Sequence, residues 1–199
     1  MMKFFVESVS NLEQEFGLDN SLNRKQNISI WGRKFLIKKI QELGLSFDFH
    51  ISVEEKGKPF FTYNSNIHFS ISNTFNYVAI AISNHRIGID IEQERKYKEN
   101  LVKRYFHINE WKYIQSYPIE QRDRIFTQLW TIKEAYVKMT GTGIANNFVE
   151  HDLTQSLPTD NLMSNSVKYQ IQSLNAEINT FYLVEENLYL SLSQELITK

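Results

Sequence analysis

Three carboxylates and two lysines from two short segments are the residues of this 199-residue chain whose types and spacing suit chemistry. The segments are Ile87-Gly88-Ile89-Asp90-Ile91-Glu92 and Trp130-Thr131-Ile132-Lys133-Glu134-Ala135-Tyr136-Val137-Lys138. An extended strand puts Ile87, Ile89 and Ile91 on one face and leaves Asp90 and Glu92 side by side on the other. A helix puts Glu134 and Lys138 one turn apart on the same face, one turn after Trp130. If the two segments meet, Asp90, Glu92 and Glu134 offer a hard cation, magnesium or else manganese, the oxygen ligands it prefers, and substrate phosphates would complete its shell. Lys133 and Lys138 would then neutralise phosphate charge. Each segment alone has a plainer reading, an ordinary strand with a solvated polar face and a surface ion pair worth about a few tenths of a kcal/mol.

Other elements must position these groups. Between Ile28 and Leu43, apolar residues recur at helical spacing, and Gly44 closes the segment, which predicts a helix. Phe47 to Val53, His68 to Ser72 and Tyr77 to Ser83 read as strands, and Ser83-Asn84-His85-Arg86 reads as the turn into Ile87 to Ile91. Leu101 to Tyr105, Asn109 to Ser116 with Asn109 as N-cap, and Gln121 to Met139 stopped by Gly141 read as helices. Val167 to Leu174, Thr180 to Glu185 and Leu188 to Leu192 return to strand, after a polar loop from His151 to Ser166. Trp31, Lys34 and Lys39 repeat the spacing of Trp130, Lys133 and Lys138, with Phe35 in the place of Glu134. This is either a trace of duplication or a coincidence between two amphipathic helices.

Composition narrows the class. Hydrophobic residues make up 42% and aromatics 14%, enough for one large or two small cores. The absence of cysteine excludes disulfides and thiol catalysis. Met1-Met2-Lys3-Phe4-Phe5-Val6-Glu7 lacks a secretory apolar run, and no apolar stretch is long enough for a membrane span, so a cytoplasmic location without membrane attachment is expected. A net charge of −1 offers no field to attract nucleic acid. The five histidines show no ligand spacing for zinc, and the common phosphate-loop, nucleophile-elbow and dinucleotide fingerprints are missing.

The two segments together resemble the signature blocks of the 4′-phosphopantetheinyl transferases, specifically the two-domain, surfactin-synthetase-activating type. Those blocks are a G-(I/V)-D-x-E strand and a W-(S/T)-x-K-E-(A/S)-x-x-K helix, both complete here. Gly57-Lys58-Pro59-Phe60 resembles the family's G-K-P block, His68-Phe69-Ser70-Ile71-Ser72-Asn73-Thr74 its F-(N/S)-(I/L)-S-H-(S/T) block, and Arg104-Tyr105-Phe106-His107-Ile108-Asn109-Glu110 its R-(F/Y)-F-x-x-x-E segment. The matches run from about residue 57 to residue 143.

The resemblance implies an α+β pseudo-dimer of two similar lobes, residues 1–84 and 85–199, with one active site at their interface. It implies attack by a carrier-protein serine on the β-phosphorus of coenzyme A, which transfers phosphopantetheine and releases 3′,5′-adenosine diphosphate. Asp90, Glu92 and Glu134 would hold the metal. Glu134, or a water on the metal, would take the serine proton, and Lys138 would stabilise charge on the transferring phosphate. Lys58, Pro59, Ser72 and Asn73 would hold the nucleotide end, with Lys133 as a further phosphate contact. Asn73 stands where the family has histidine, so it can hydrogen-bond a 3′-phosphate but cannot add a positive charge. Arg24, Lys25 and Arg33 are the nearest upstream basic residues.

The implied partner is an apo acyl or peptidyl carrier protein, acidic and helical, bound by a monomer. Lys96, Lys98, Lys103, Arg104, Lys112, Arg122 and Arg124 offer a basic face for it. Phe106, Trp111 and Tyr113, which interleave with them, read as core. Two rival readings remain: a non-catalytic relative that only binds carrier proteins, and a magnesium-dependent hydrolase of another diphosphate.

Overall fold

A computed structural model describes residues 2–143, 149–155, 157 and 164–196 of the chain. Strand β1 (Met2–Ser8) runs directly into helix α1 (Val9–Phe16), capped by the Ser8 hydroxyl, which accepts from the Asn11 amide at 3.1 Å. Neither element stands out in the sequence pattern. Helix α2 (Arg24–Glu42) starts one turn earlier than its apolar periodicity predicts, because Asn23 and Gln26 form a capping box there. A short hairpin, β2 (Ile51–Val53) and β3 (Pro59–Phe61), precedes β4 (His68–Asn73), β5 (Tyr77–Ser83) and β6 (Ile87–Gln93). Helices α3 (Glu99–Tyr105), α4 (Ile108–Gln115) and α5 (Arg122–Thr140) follow, then β7 (Ser166–Ile171), β8 (Ala176–Leu183) and β9 (Leu188–Glu195).

The chain is thus a mixture of helices and antiparallel sheets. One sheet has the order β1-β5-β4, another β6-β9-β8-β7, and β2-β3 stands as a ribbon. Helix α2 buries Trp31, Phe35, Leu36 and Ile40 in a core with Phe69, Val78, Ile80 and Ile82. Helix α5 buries Ile125, Phe126, Leu129 and Ile132 in another, with Ile171, Ala176 and Ile178. Phe35, which matches Glu134 in the internal repeat, is 2% exposed and belongs to the first core.

A third cluster joins the two larger sheets. Ala79 and Ala81 of β5 pack with Ile87, Ile89 and Ile91 of β6 and with Leu190 and Leu192 of β9. Each isoleucine or leucine of this cluster contributes about 1.5–3 kcal/mol on burial, against roughly 1 kcal/mol for a typical hydrogen bond. The apolar layer therefore dominates the cohesion of the sheets. Serines register it: the Ile89 and Ile91 amides of β6 donate to Ser70 Oγ and Ser72 Oγ of β4 at 3.1 and 3.4 Å.

Some local expectations change. The strand expected over Phe47 to Val53 shrinks to Ile51–Val53, because its partner β3 is only three residues long. Phe47 and Phe49 instead set their rings 5.0 and 6.1 Å from Phe61. The N-cap of α4 is His107, whose Nδ1 accepts from the Asn109 amide while Glu110 completes a capping box. Asn109 itself donates to Asp152 at 2.8 Å. The strand expected through Leu174 ends at Ile171 in a 3-10 turn, and the one expected at Thr180 begins at Ala176. Within the expected loop, residues 151–155, 157 and 164–165 carry no helix or strand, and residues 156 and 158–163 lie outside the described residues. Among the described residues, no helix is long and apolar enough to cross a membrane.

Candidate active site

Period-two alternation in β6 does what the sequence requires of it. Ile87, Ile89 and Ile91 face the apolar layer, and Gly88, Asp90 and Glu92 face α5. Gly88 sets the distance: a Cβ built there would sit 1.9 Å from the Ala135 carbonyl oxygen and 2.5 Å from the Met139 nitrogen. Both are backbone atoms of α5, so no side-chain rotation could relieve the clash. The missing side chain lets the helix backbone lie against the strand and brings Asp90 opposite Lys138.

Lys138 Nζ donates to Asp90 Oδ1 at 2.7 Å and to Ser72 Oγ at 2.9 Å. Ser72 in turn donates to the same Asp90 oxygen at 2.7 Å. Its hydroxyl, on a residue 6% exposed, is thus engaged by Asp90, Lys138 and the Ile91 amide. Ser72 orients the carboxylate and the ammonium. It does not point outward as a nucleotide contact would.

Electrostatics singles out the acids. Asp90 Oδ2 is buried and has no hydrogen-bond partner among the described residues. Burial first, and then the neighbouring Asp90 charge, push Glu134 up to about 7, and Glu92 is raised for the same two reasons. Among the described residues, no three acidic or histidine side chains stand in ligating positions around one point. Cations of the chain itself occupy two of the acids: Lys138 holds Asp90, and Arg95 Nη1 donates to Glu92 Oε1 at 3.1 Å. The donor chemistry nevertheless fits a hard divalent ion, with carboxylate oxygens from β6 and α5, one of them orphaned, and repulsion that a cation would relieve.

Arg95 went unnoticed in the sequence and belongs to this group. Its guanidinium lies 4.7 Å from the Trp130 ring centroid, and its amide donates to Thr127 Oγ1 at 2.9 Å. The only available signal was its place three residues after Glu92.

Glu134 and Lys138 border a cleft of about 440 Å³. Lys58 and Pro59 of the β2–β3 hairpin, Ser70 of β4, and Glu134, Val137 and Lys138 of α5 are among its walls. The Lys58 ammonium donates to the carbonyls of Ile87, at 3.0 Å, and of Lys138. Burial, followed by the Arg86 charge, lowers Lys58 to about 8. Arg86 donates to the Met139 and Thr140 carbonyls at 3.3 and 3.0 Å and pairs with Glu54 at 3.1 Å. Two cations therefore serve the last turn of α5, where unpaired carbonyls and the helix dipole favour positive charge. Asn73 is exposed at the end of β4.

Lys133 corrects an expectation. Its ammonium turns inward, 2.8 and 3.0 Å from the two Glu110 oxygens and 3.1 Å from the His151 carbonyl, with side-chain exposures of 1% and 0% for the pair. Glu110 also accepts from the Leu153 and His107 amides. Burial pushes Glu110 up and Lys133 down, and each charge restrains the other's shift. The pair pins α4 and residues 151–153 to α5, and Lys133 is not a phosphate contact in this arrangement.

The supposed basic face is also partly committed. Lys96 pairs with Asp123 and Lys103 with Glu99, both at 2.7 Å, and Arg122 donates to the Tyr117 and Gln115 carbonyls. Phe106 is core, with Trp111 and Tyr113 partly buried against the same cluster.

Comparison with known proteins bears on the same residues. A family model described as the 4′-phosphopantetheinyl transferase superfamily matches residues 86–184. The chain is 39% identical over 107 residues to the 4′-phosphopantetheinyl transferase gsp of Aneurinibacillus migulanus, covering 52% of this chain and 44% of that protein. It is 39% identical over 112 residues to the 4′-phosphopantetheinyl transferase HetI of Nostoc sp., covering 53% and 47%. Against the 4′-phosphopantetheinyl transferase Sfp of Bacillus subtilis it is 31% identical over 98 residues, covering 49% and 44%. In each case the chain spans less than half the length of the relative it matches.

Proposed function

From a chain that belongs, through residues 86–184, to the 4′-phosphopantetheinyl transferase superfamily, we propose transfer of 4′-phosphopantetheine from coenzyme A to a serine of an apo acyl or peptidyl carrier protein. One observation carries the proposal: Asp90, Glu92, Glu134 and Lys138 meet where β6 and α5 touch, beside a cleft walled by Lys58 and Pro59. Neither half of this arrangement is sufficient alone. The acids suit a metal-bound diphosphate, and the cleft, at about 440 Å³, has the volume of a small-molecule site.

The serine Oγ forms a bond to the β-phosphorus, and the bond from that phosphorus to the oxygen of 3′,5′-adenosine diphosphate breaks. Such a displacement needs positioning, charge neutralisation and proton removal. Glu134 takes the serine proton, since it is a carboxylate on the wall of the cleft, where the incoming hydroxyl arrives. Lys138, which reaches both Asp90 and the cleft, stabilises charge on the transferring phosphate. Asp90, Glu92 and Glu134 would hold magnesium, or manganese in its place. When bound, the ion supplies Lewis-acid neutralisation of the diphosphate. Pro59, Lys58 and Asn73 remain the proposed neighbours of the nucleotide end, Lys58 by shaping the wall through its carbonyl contacts.

The architecture goes with this reading. We take residues 1–84 and 85–199 as two related lobes, each with a 19-residue helix packed on an antiparallel sheet, and the site as lying between them. The protein would act as a cytoplasmic monomer with neither nucleic acid nor membrane as partner; its net charge of −1 gives no field to attract nucleic acid. Release of 3′,5′-adenosine diphosphate from coenzyme A tests the reaction class. Release that depends on, and matches, the amount of apo carrier added supports transfer. Release without any carrier would instead indicate a diphosphate hydrolase.

A further inference from the structure

The hydroxyl of Thr131 lies 2.7 Å from that of Ser191 across the contact between α5 and β9, and both residues are 0% exposed. Thr131 also donates to the Gln128 carbonyl at 2.8 Å, and Ser191 and the Gln128 amide both reach Thr180 Oγ1, at 3.0 and 3.4 Å. This is one of the polar contacts between the helix and the sheet, beside the Lys138–Asp90 pair and the Ser193 hydroxyl, which donates to Met139 Sδ at 3.3 Å. The close approach of the α5 backbone to Gly88 limits how near the helix can lie to the strand, and the apolar packing around it has no direction of its own. A buried hydroxyl pair at this distance adds a directional constraint, because its geometry is narrow, and each hydroxyl is further oriented by its second partner, the Gln128 carbonyl or Thr180 Oγ1.

The place of the hydroxyl pair matters for the site. Ser191 is the cross-strand partner of Asp90 in the β6–β9 ladder, so their side chains leave the sheet on the same face. On α5, Glu134 follows Thr131 by three residues and Lys138 by seven, at angles of about 60° and about 20° from it around the helix. The Thr131–Ser191 hydrogen bond therefore ties the helix to the sheet beside Asp90, on the same helix face as Lys138 and Glu134.

We propose that the Thr131–Ser191 hydrogen bond is a positioning contact that sets the helical phase of α5, and with it Glu134 and Lys138 against Asp90, while Gly88 sets the helix–strand distance. Neither residue touches substrate. The proposal rests on the transferase reading for its catalytic consequence, and on geometry alone for its structural one. It also gives a physical reason for a hydroxyl residue directly after Trp130 in the helix block: serine or threonine can make this bond and an aliphatic residue cannot.

The test compares Thr131→Val, which keeps the shape, with Thr131→Ser, which keeps the hydroxyl, and with Ser191→Ala, each at a temperature where circular dichroism shows it fully folded. Crystal structures of the wild type and Thr131→Val come first. The expected result is a shift of α5 that lengthens the 2.7 Å contact between Lys138 and Asp90. In the transfer assay, Thr131→Val and Ser191→Ala should lower kcat on the order of tenfold to a hundredfold, with KM for coenzyme A unchanged. Thr131→Ser should restore kcat, and the double variant should lose no more than either single one. An unshifted helix in Thr131→Val overturns the proposal, and so does a shifted helix with wild-type kcat. A shifted helix in a protein whose wild type transfers nothing leaves the positioning contact standing and removes the transferase reading.

Discussion

Lys138 Nζ lies 2.7 Å from Asp90 Oδ1, and the other oxygen of that carboxylate, Oδ2, is buried without a hydrogen-bond partner among the described residues. The ammonium thus occupies half of an acid that the proposed reaction assigns to a metal. Like cations compete for one carboxylate, so Lys138→Gln should raise magnesium affinity in the absence of coenzyme A. The same change removes charge from the transferring phosphate and should lower transfer on the order of a hundredfold. Calorimetry with magnesium alone, beside the transfer rate, reads both effects. A parallel fall in both would mean that Lys138 helps to hold the metal and does not compete with it.

Gly88→Ala should be costly out of proportion to one methyl group. The added carbon meets the Ala135 carbonyl and the Met139 nitrogen, both main-chain atoms, so α5 itself must move. Overpacking of this kind costs about 1–3 kcal/mol. Urea unfolding should show it as a lower midpoint, and transfer should fall with it, because the shifted helix carries Glu134 and Lys138.

Glu134 makes stability depend on pH in a definite direction. Its carboxyl is raised from 4.5 to about 7 by burial and by Asp90. Below about 4.5 it is protonated in the folded and unfolded chain alike and favours neither. Between that value and about 7 the unfolded chain loses the proton first, so the folded state binds more protons and its stability falls as pH rises. Above about 7 the loss is complete and constant. Melting temperatures of the metal-free protein should therefore decline across this window, and Glu134→Gln should flatten the decline. A wild type and variant with the same slope would place the titration elsewhere.

Lys133→Met separates a structural lysine from a phosphate contact. It strands the Glu110 carboxylate, 0% exposed, without its cation. Removing one partner of a buried pair costs about 3–5 kcal/mol. Denaturant unfolding should show that loss while KM for coenzyme A stays unchanged in the folded fraction. A raised KM with unchanged stability would return Lys133 to the nucleotide site.

The difference between Lys133 and Lys138 shows what could be read from the sequence and what could not. Five residues on a helix turn through about 140° net, so the two lysines cannot share a face, and spacing alone separates them. Spacing does not say which one meets acid from another element, because Glu110 lies 23 positions away and reaches Lys133 only through folding. The strand face of Asp90 and Glu92 was legible because its alternation is local. Ser72 was legible as a site residue but not in its orientation, which depends on β4 lying beside β6. Strand β1 was obscured for a similar reason: Met2 to Ser8 becomes a strand through its pairing with β5, and its own sequence shows little alternation. Arg95 and Ser191 carried no local signal, since each gains its role from a partner on another element.

The most direct test is intact-mass analysis of apo carrier proteins incubated with this protein, coenzyme A and magnesium, beside the Glu134→Ala variant. The account predicts a gain of one phosphopantetheine on at least one carrier, lost in the variant and lost when the metal is chelated. No gain on any acyl or peptidyl carrier, together with no coenzyme A binding by calorimetry, would contradict it.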